Sequence, residues 1–316
     1  MRIAVIGAGL AGLACAAALQ AAGASVTLFD KARGAGGRLS TRRIDTPSGE
    51  ASFDHGAQYF TAHDPAFQAE IDRWAALGLA APWPAAGADA WVGTPTMNAP
   101  ARQLASGLDV HLSSRIDALR RNAEPDPAWW LRIDPDEHGP FDAVVVAVPA
   151  EQAAPLLEPW DSDFADLAGG TRSRACWTVM VAFGTGLSET SDVLQHHGPI
   201  GWAARNSAKP GRTGPESWVI QAEADWSDAH LENRADTVLA ELLAAFEQAP
   251  GVDLPAPLAA TAHRWRYARS GDAGKGSLWN ARLGLGVCGD WLLGPRVECA
   301  WLSGTRLAAS MLAGPA

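Results

Sequence analysis

Three glycines near the start of the chain have the spacing of a phosphate-binding turn. Gly7, Gly9 and Gly12 directly follow the apolar run at residues 3–6, and the acidic Asp30 comes about 20 residues later. In this pattern Gly7 permits a tight turn, Gly9 lets the backbone approach a pyrophosphate, and Gly12 allows a helix to pack closely on a sheet. The helix that follows, beginning at Leu10 and Ala11, would offer unpaired backbone N–H groups to the phosphates. The spacing therefore indicates a dinucleotide cofactor, with Asp30 accepting hydrogen bonds from a ribose.

The loop after Asp30 combines cations with glycines. Lys31, Arg33 and Arg38 are interleaved with three glycines that include Gly37. Glycines give close backbone access and guanidinium groups bind phosphate oxygens in pairs. We expect this loop to fold over a pyrophosphate, which a simple nicotinamide dehydrogenase does not require.

The elements that must position these residues follow from apolar periodicity. Residues 3–29 carry no charge, yet their glycines divide them into strand, turn, helix and strand rather than one membrane span. Beyond them the sequence predicts a buried strand at 143–148, half-buried strands at 176–183, 199–204, 217–223 and 263–268, one long helix at about 229–248, a strand at 284–288, and a closing helix at 299–312. This order predicts an α/β domain interrupted by a second, α+β domain built on an antiparallel sheet.

The predicted domains are discontinuous. The first, nucleotide-binding domain comprises residues 1–52, 100–150 and 276–316. The substrate domain comprises residues 53–99 and 151–275. A chain of 316 residues is slightly longer than one hydrophobic core normally supports, which agrees with two domains.

Composition excludes several classes of protein. The chain is 47% hydrophobic and 19% charged, which is typical of a globular protein, and its net charge of −10 disfavours nucleic-acid and anionic-membrane partners. Its four cysteines form no CxxC pair, and the adjacent His196 and His197 would diverge on a strand. We therefore expect no disulfide framework, no metal site and a cytoplasmic location.

Several segments together resemble a known family. The fingerprint with Asp30, the segment from Arg33 to Arg38 and the late segment Val287–Asp290 resemble the FAD-binding fold of glutathione reductase type, in the branch that contains the flavin amine oxidases. Further segments resemble bacterial renalase-like proteins; they are residues 54–60, 204–211, 263–268 and 289–291. The resemblance implies a Rossmann-like domain that holds FAD non-covalently.

The same resemblance implies roles for individual residues. It places Asp30 on the adenosine ribose, Arg38 near the pyrophosphate and Asp290 at the pyrophosphate or ribityl chain. It places Gly56, Ala57 and Gln58 beside the flavin ring and makes Gly289 a further cofactor-binding residue. It also implies that the helix beginning near Glu298, with Cys299 and Ala300, points its N-terminus at the flavin N1 and C2 carbonyl. Cys299 stands where the family usually has glycine.

Renalase-like flavoproteins oxidise isomers of dihydronicotinamide in which the hydride is at ring position 2 or 6. The products are NAD(P)+ and, after transfer of the electrons to O2, hydrogen peroxide. The resemblance implies this activity, with a small-molecule substrate and O2 as partners. Two alternatives are an amine oxidase or another FAD oxidoreductase of small molecules, and a flavin-binding protein without turnover. The sequence leaves the oligomeric state open.

Aromatic and amide residues are the candidates for contact with substrate. Indole rings can stack on a nicotinamide, and tryptophans occur in or beside four predicted strands, at Trp177, Trp202, Trp218 and Trp265. Asn206 could bind a carboxamide, and His263 with Trp265 could orient the substrate. Each of these residues could instead be structural, the tryptophans as core residues and Asn206 in a turn.

Overall fold

The computed structural model describes residues 1–122, 127–187, 191–249 and 253–313. Residues 314–316, the end of the last nucleotide-binding segment, lie outside them. Its helices are α1 (Leu10–Ala21), α2 (Pro65–Ala76), α3 (Ala99–Ser106), α4 (Ala150–Leu157), α5 (Ser162–Gly170), α6 (Ala224–Ala229), α7 (Ala235–Glu247) and α8 (Val297–Leu312).

The strands, in chain order, are β1 (Arg2–Ile6), β2 (Ser25–Phe29), β3 (Thr41–Thr46), β4 (Gly49–Asp54), β5 (Ala80–Pro82), β6 (Trp91–Gly93), β7 (Asp109–His111), β8 (Ala118–Arg121), β9 (Trp129–Ile133), β10 (Asp136–Phe141), β11 (Ala143–Val146), β12 (Arg174–Phe183), β13 (Val193–His197), β14 (Ile200–Arg205), β15 (Glu216–Ala222), β16 (Pro257–Arg269), β17 (Leu278–Asn280) and β18 (Leu285–Val287).

A six-stranded sheet organises the first domain in the order β17-β18-β11-β1-β2-β7. All its pairs are parallel except β17 with β18. The buried apolar strand β11 lies between β1 and β18, while α1 and α8 pack against each other on one face. This is a Rossmann-like α/β arrangement, in which the carboxyl ends of the parallel strands meet at one edge.

A second large sheet has five antiparallel strands in the order β13-β14-β15-β12-β16. One face is covered by α7, whose Val238, Leu242 and Phe246 are fully buried against it. The hairpin of β3 and β4 packs on the sheet as well, through a small core that includes Phe53 and Met180. This hairpin joins the loop that follows Arg38 to the five-stranded sheet.

The helix predicted at about 229–248 is wrong as a single element. The chain forms α6, a turn at residues 230–234, and then α7. The indole N–H of Trp177 donates to the His230 carbonyl oxygen at 2.9 Å, and Arg264 and Arg266 form ion pairs with Glu232 in the turn. These contacts come from β12 and β16, so helical periodicity alone could not reveal the break.

Other elements differ less from the predictions. The closing helix begins at Val297, two residues before the predicted start. The sequence does not predict the β3–β4 hairpin, because its strands lack the apolar alternation of a half-buried strand. All four cysteines are free and buried. In the ranges that the structure describes, the helices are too short or too polar to cross a membrane.

Candidate active site

A cavity of about 1490 Å³ runs along the carboxyl edge of the six-stranded sheet and continues to the antiparallel sheet. At one end it is lined by Asp30 after β2 and by residues 114–117 after β7. It then passes the start of α1 and reaches Gly289 and Asp290 after β18. Ligands of open α/β sheets bind at this edge. We call the end at Asp30 and residues 114–117 the nucleotide half.

The start of α1 fits a pyrophosphate. A side chain at Gly7 would place its Cβ 2.5 Å from the Ala147 carbonyl oxygen, and one at Gly12 would place it 2.0 Å from the Gly7 carbonyl oxygen. At Gly9, the residue before the helix, the added Cβ would meet nothing within 4 Å. Gly7 and Gly12 are therefore required by packing, while Gly9 leaves space beside the helix N-terminus where phosphate groups bind.

Asp30 is held firmly at the nucleotide half. Its Oδ2 accepts a hydrogen bond from the Ala8 backbone N–H and its Oδ1 accepts one from the Ala32 backbone N–H, both at 2.7 Å. The carboxylate thus links the glycine turn to the loop after β2. Each carboxylate oxygen keeps a further lone pair for a ribose hydroxyl.

Arg38 and Asp290 meet in the middle of the cavity wall. Arg38 Nη2 lies 2.5 Å from Asp290 Oδ1, and Nη1 donates to the Ala268 carbonyl oxygen at 3.2 Å. The other oxygen of Asp290 accepts a hydrogen bond from Ser270 Oγ at 2.9 Å. Arg38 therefore neutralises a nearly buried carboxylate that also lines the cavity.

The segment Gly56–Gln58 forms the next part of the wall. The Ala57 N–H donates to the Arg38 carbonyl oxygen at 2.9 Å, and a Cβ at Gly56 would lie only 1.9 Å from that oxygen. Gln58 Nε2 donates to the Asp54 and Gly56 carbonyl oxygens at 2.5 and 3.0 Å, while Gln221 Nε2 donates to the Gly56 carbonyl oxygen at 2.7 Å. Hydrogen bonds within the protein therefore hold this part of the wall in place.

Beyond this segment the cavity is lined by aromatic rings, and we call this end the aromatic half. Tyr59 and Trp202 form a tilted pair with ring centroids 5.2 Å apart. The rings of His55, His263 and Trp265 form a second cluster with centroids 4.6–5.1 Å apart. The Trp265 indole N–H donates to the His55 carbonyl oxygen at 2.8 Å, which ties β16 to the loop after β4.

The two histidines of this cluster are neutral at physiological pH. Burial, with the neighbouring His263 and Arg42, lowers the pKa of His55 to about 4. Burial and Arg42 lower the pKa of His263 to about 4 as well. Neither imidazole therefore adds charge to the aromatic half, whose rings can stack on a flat ring.

The charges of the cavity are unevenly distributed. The acidic lining residues are Asp30, Asp117, Glu151 and Asp290, and the basic ones are Lys31, Arg38, Arg115, Arg264, Arg266, Arg269 and Arg296. Among the described lining residues from 55–61 and from β12, β14 and β15, none is acidic. A cavity with this excess of cations in a protein of net charge −10 fits an anionic ligand such as a dinucleotide.

The structure brings most of the sequence-predicted residues to the cavity. Those that line it are Gly7, Gly9, Leu10, Ala11, Asp30, Lys31, Gly37, Arg38, Gly56, Ala57, Gln58, His263, Trp265, Gly289, Asp290 and Ala300. Gly12 lies behind the turn and Arg33 is exposed outside the lining. Of the four tryptophans considered for substrate contact, Trp202 and Trp265 line the cavity, whereas Trp177 and Trp218 are core residues.

Asn206 corrects one prediction. It is fully buried outside the cavity lining, its Nδ2 donates to the Ser52 carbonyl oxygen at 2.8 Å, and its Oδ1 accepts from the Asp54 N–H at 3.2 Å. Both ends of the amide are thus used to hold β4. Asn206 anchors the β3–β4 hairpin and is not available to a substrate carboxamide.

Glu298 and Cys299 also turn away from the cavity. Glu298 Oε1 accepts hydrogen bonds from the backbone N–H groups of His63 and Asp64, each at 2.6 Å. Cys299 Sγ lies 3.5 Å from the Leu293 carbonyl oxygen. The α8 residues that line the cavity are Val297 and Ala300. The start of the helix does reach the cavity through these two residues, and the expectation that its N-terminus faces the flavin stays a prediction.

Sequence reasoning missed Tyr59, Gln221 and His55 as lining residues. Tyr59 and His55 flank the segment 56–58, so their proximity to it was a usable signal. Gln221 carries no such signal because its position depends on the register of β15 against β12 and β14. Residues brought together by sheet register are not marked by a local motif.

Comparison with known proteins agrees with this geometry. A family model described as "Flavin containing amine oxidoreductase" matches residues 85–312, and one described as "NAD(P)-binding Rossmann-like domain" matches residues 5–74. A tRNA 5-methylaminomethyl-2-thiouridine biosynthesis bifunctional protein from Magnetococcus marinus is 30% identical over 207 residues. That match covers 50% of this chain and 30% of the relative, so the chain corresponds to under a third of that protein's length.

Two solved structures share the fold over nearly their whole length. A putative protoporphyrinogen oxidase from Exiguobacterium sp. 255-15 superimposes with a TM-score of 0.74 at 13% identity, covering 98% of both chains. Cyclohexylamine oxidase from Brevibacterium oxydans IH-35A superimposes with a TM-score of 0.71 at 14% identity, also covering 98% of both chains. At these identities the likeness is one of fold.

Proposed function

The chain belongs to the flavin containing amine oxidoreductase family, and from that premise we propose that it is an FAD-dependent oxidase of dihydronicotinamide isomers. Membership makes it an FAD-dependent oxidoreductase. The narrower renalase-like activity, with the 2- or 6-dihydro forms of NAD(P) as substrates and O2 as electron acceptor, is our proposal. We also propose that the FAD-binding fold is of glutathione reductase type and that the protein is cytoplasmic.

The cavity accommodates FAD along its length. The glycine turn and α1 would hold the pyrophosphate, and Asp30 would bind the adenosine ribose. Because the pyrophosphate lies in the middle of FAD, the flavin must extend away from Asp30, towards Gly56–Gln58 and the aromatic half. When bound there, FAD would accept a hydride from the substrate and pass the two electrons to O2, which gives hydrogen peroxide.

Our choice of a dihydronicotinamide over an amine as the substrate rests on one observation. The aromatic half presents rings and amides and, among the described lining residues from 55–61 and from β12, β14 and β15, no carboxylate that would pair with an ammonium group. A dihydronicotinamide is flat and neutral, and its carboxamide needs a hydrogen-bond acceptor. Gln221 donates to the Gly56 carbonyl oxygen and so keeps its own carbonyl oxygen for that purpose.

The reaction requires little acid–base catalysis by the protein. Loss of a hydride from a 2- or 6-dihydropyridine restores the aromatic pyridinium, so no base has to remove a proton from carbon. The residues of the aromatic half then act by stacking on the ring, orienting the carboxamide and excluding water. The neutral state of His55 and His263 agrees with this, since neither side chain carries a charge that would oppose the developing pyridinium.

Amine oxidation is the second candidate. The tilted pair of Tyr59 and Trp202 could flank a small neutral amine, and the family includes amine oxidoreductases. Lys209, however, does not line the cavity and is separated from it by Gln58. A lysine that holds a water beside the flavin, as in many amine oxidases, therefore has no counterpart at this position.

Anaerobic reduction of the bound flavin distinguishes these activities. The purified holoprotein is mixed without O2 with 2-, 4- or 6-dihydro-NAD(P), or with a panel of mono- and diamines, and the flavin absorbance is followed. We expect rapid bleaching by the 2- or 6-dihydro isomers, return of the colour in air with stoichiometric hydrogen peroxide, and little bleaching by amines. Bleaching by amines alone would favour the second candidate. A flavin that stays oxidised with every donor would contradict both.

A further inference from the structure

One lysine of the three in this chain is fully buried behind the cavity wall. The Lys209 side chain has no exposed surface, and its Nζ lies 3.1 Å from Gln58 Oε1 and 3.5 Å from Asp54 Oδ2. The ammonium group also lies over the ring of Trp83, 5.2 Å from its centroid. Burial of a lysine ammonium group costs free energy unless the group is paired, so fully buried lysines are rare.

The charges around Lys209 do not cancel. Asp54 also pairs with the guanidinium of Arg212, whose side chain is 1% exposed. Asp54 carries one negative charge and the two cations carry two positive charges, so the buried cluster has a net charge of +1 when Lys209 is protonated. Asp54 and Arg212 are the charged groups that act on Lys209.

Gln58 connects this cluster to the cavity. Its Nε2 is fixed by two backbone carbonyl oxygens, and its Oε1 accepts the hydrogen bond from Lys209. Three hydrogen bonds therefore determine the orientation of an amide that lines the cavity. Lys209 itself does not reach the cavity.

The flavin end of FAD must lie on this side of the cavity, because Asp30 and the adenosine lie on the other side of the pyrophosphate. Reduction adds negative charge to the contents of the cavity. A net positive charge in the low-dielectric wall stabilises that added charge.

We propose that Lys209 is a positioning residue that fixes Gln58 in the cavity wall and supplies the net positive charge that favours reduction of the bound flavin. The inference depends on FAD occupying the cavity and not on which substrate is oxidised. Its failure is therefore distinguishable from failure of the proposed activity.

The protonation of Lys209 provides a test of the charge. Burial lowers the pKa of Lys209 to about 8, with Asp54 opposing and Arg212 adding to this shift. Burial alone would raise the pKa of Asp54, but Lys209 and Arg212 outweigh it and lower that pKa, so Asp54 stays ionised. The cluster therefore carries its net positive charge below about pH 8 and becomes neutral above it.

The experiment measures the two-electron reduction potential of bound FAD by equilibration with a redox dye, in the wild-type holoprotein and in Lys209→Met. At about pH 6.5 we expect the variant to shift the reduced-to-oxidised ratio roughly tenfold towards oxidised flavin, which is about 30 mV for a two-electron couple. At about pH 9.5 the two proteins should have the same potential, because the wild-type lysine is then neutral.

Two further variants distinguish the effect of the Lys209 charge on the potential from the effect of its hydrogen bond to Gln58 and from general effects of replacing a lysine. Lys209→Gln keeps an N–H donor for Gln58 without the charge, and we expect it to shift the potential as Lys209→Met does. Lys275→Met makes the same chemical change at an exposed lysine outside the cavity lining and should leave the potential unchanged. Both Lys209 variants retain the pair of Asp54 with Arg212, so no carboxylate is left buried alone.

The outcomes are distinct. A difference in potential that is present at about pH 6.5 and has disappeared by about pH 9.5 in both Lys209 variants supports the proposal. Equal potentials at every pH, or a difference that does not change with pH, would overturn it, since a purely structural role for Lys209 would not follow the titration of its amine.

Discussion

The guanidinium of Arg38 lies 2.5 Å from the carboxylate of Asp290, a residue 252 positions farther along the chain. The pair joins the loop after β2 to the turn after β18, and both residues line the cavity. Asp290 is only 7% exposed, and a lone carboxylate there would repel a pyrophosphate. Arg38 therefore makes the cavity wall compatible with an anionic cofactor.

Arg38→Met should impair both folding and cofactor binding. Leaving Asp290 without its cation should lower the free energy of unfolding of the apoprotein by about 2 kcal/mol, less than for a fully buried pair because Arg38 is partly exposed. The Kd for FAD should rise at least tenfold, about 1.4 kcal/mol. Urea denaturation and quenching of FAD fluorescence measure the two effects.

The double variant Arg38→Met with Asp290→Asn is the control for this interpretation. It removes the unpaired charge, so we expect it to recover at least half of the lost affinity and stability. If the double variant were no better than Arg38→Met, the arginine would act on the cofactor alone and not by neutralising Asp290.

Alanine substitutions at two glycines of the α1 turn should affect cofactor binding and folding differently. Gly9 has a φ of −75°, which alanine adopts readily, and an added Cβ there meets nothing in the protein. Gly9→Ala should therefore fold like the wild type but bind FAD at least tenfold more weakly, since its methyl group occupies space needed by the phosphates.

Gly12→Ala is the matched comparison. Its Cβ would lie 2.0 Å from the Gly7 carbonyl oxygen, so the apoprotein should be destabilised by about 1–3 kcal/mol before any cofactor is added. Thermal unfolding of both apoproteins, followed by FAD titration of whatever remains folded, gives the comparison. Equal melting temperatures for the two variants would contradict the assignment of Gly12 to packing.

The nucleotide half of the site was predictable from the sequence because its geometry is local. The turn, the helix start and Asp30 lie within one βαβ unit, and their spacing along the chain determines their arrangement in space. The same holds for the strand at β11, which is apolar on both faces because α1 and α8 cover one face of the sheet while strands β8–β10 with α4 and α5 cover the other.

The aromatic half was less predictable because it depends on tertiary contacts. Trp202 and Trp218 occur on adjacent antiparallel strands with similar local sequence character, yet one lines the cavity and the other is buried beneath α7. Asn206 has the residue type of a substrate ligand, but the hairpin of β3 and β4 takes both ends of its amide. Neither outcome is encoded in spacing.

Acid should destabilise the protein through His55. Its pKa in the folded chain, about 4, lies below its value in the unfolded chain, about 6.5, so protonation favours unfolding. Its contribution is complete above about pH 6.5 and is lost as the pH falls towards 4, a loss of about 2 kcal/mol between pH 7 and pH 4.5. Urea denaturation of the apoprotein across this range should show a flatter curve for His55→Phe, which keeps the ring packing.

The control is the same comparison above about pH 6.5, where His55 is neutral in both the folded and the unfolded chain. There we expect the stabilities of His55→Phe and the wild type to change with pH in parallel. If His55→Phe and the wild type lost stability in parallel below that pH as well, His55 would not be held neutral in the folded protein.

Substitution of Trp202 should mainly change KM, whereas substitution of Asn206 should mainly change the free energy of unfolding. This contrast tests whether Trp202 contacts the substrate and Asn206 is structural. Trp202→Ala removes one ring of the pair with Tyr59 and should raise the KM for the reducing substrate about tenfold, with Trp202→Phe closer to the wild type. Asn206→Ala removes two buried hydrogen bonds and should lower the free energy of unfolding by about 1–3 kcal/mol, with a smaller effect on KM. Steady-state kinetics and urea denaturation of both variants decide the matter, because a substrate contact by Asn206 would raise KM as much as the loss of Trp202 does.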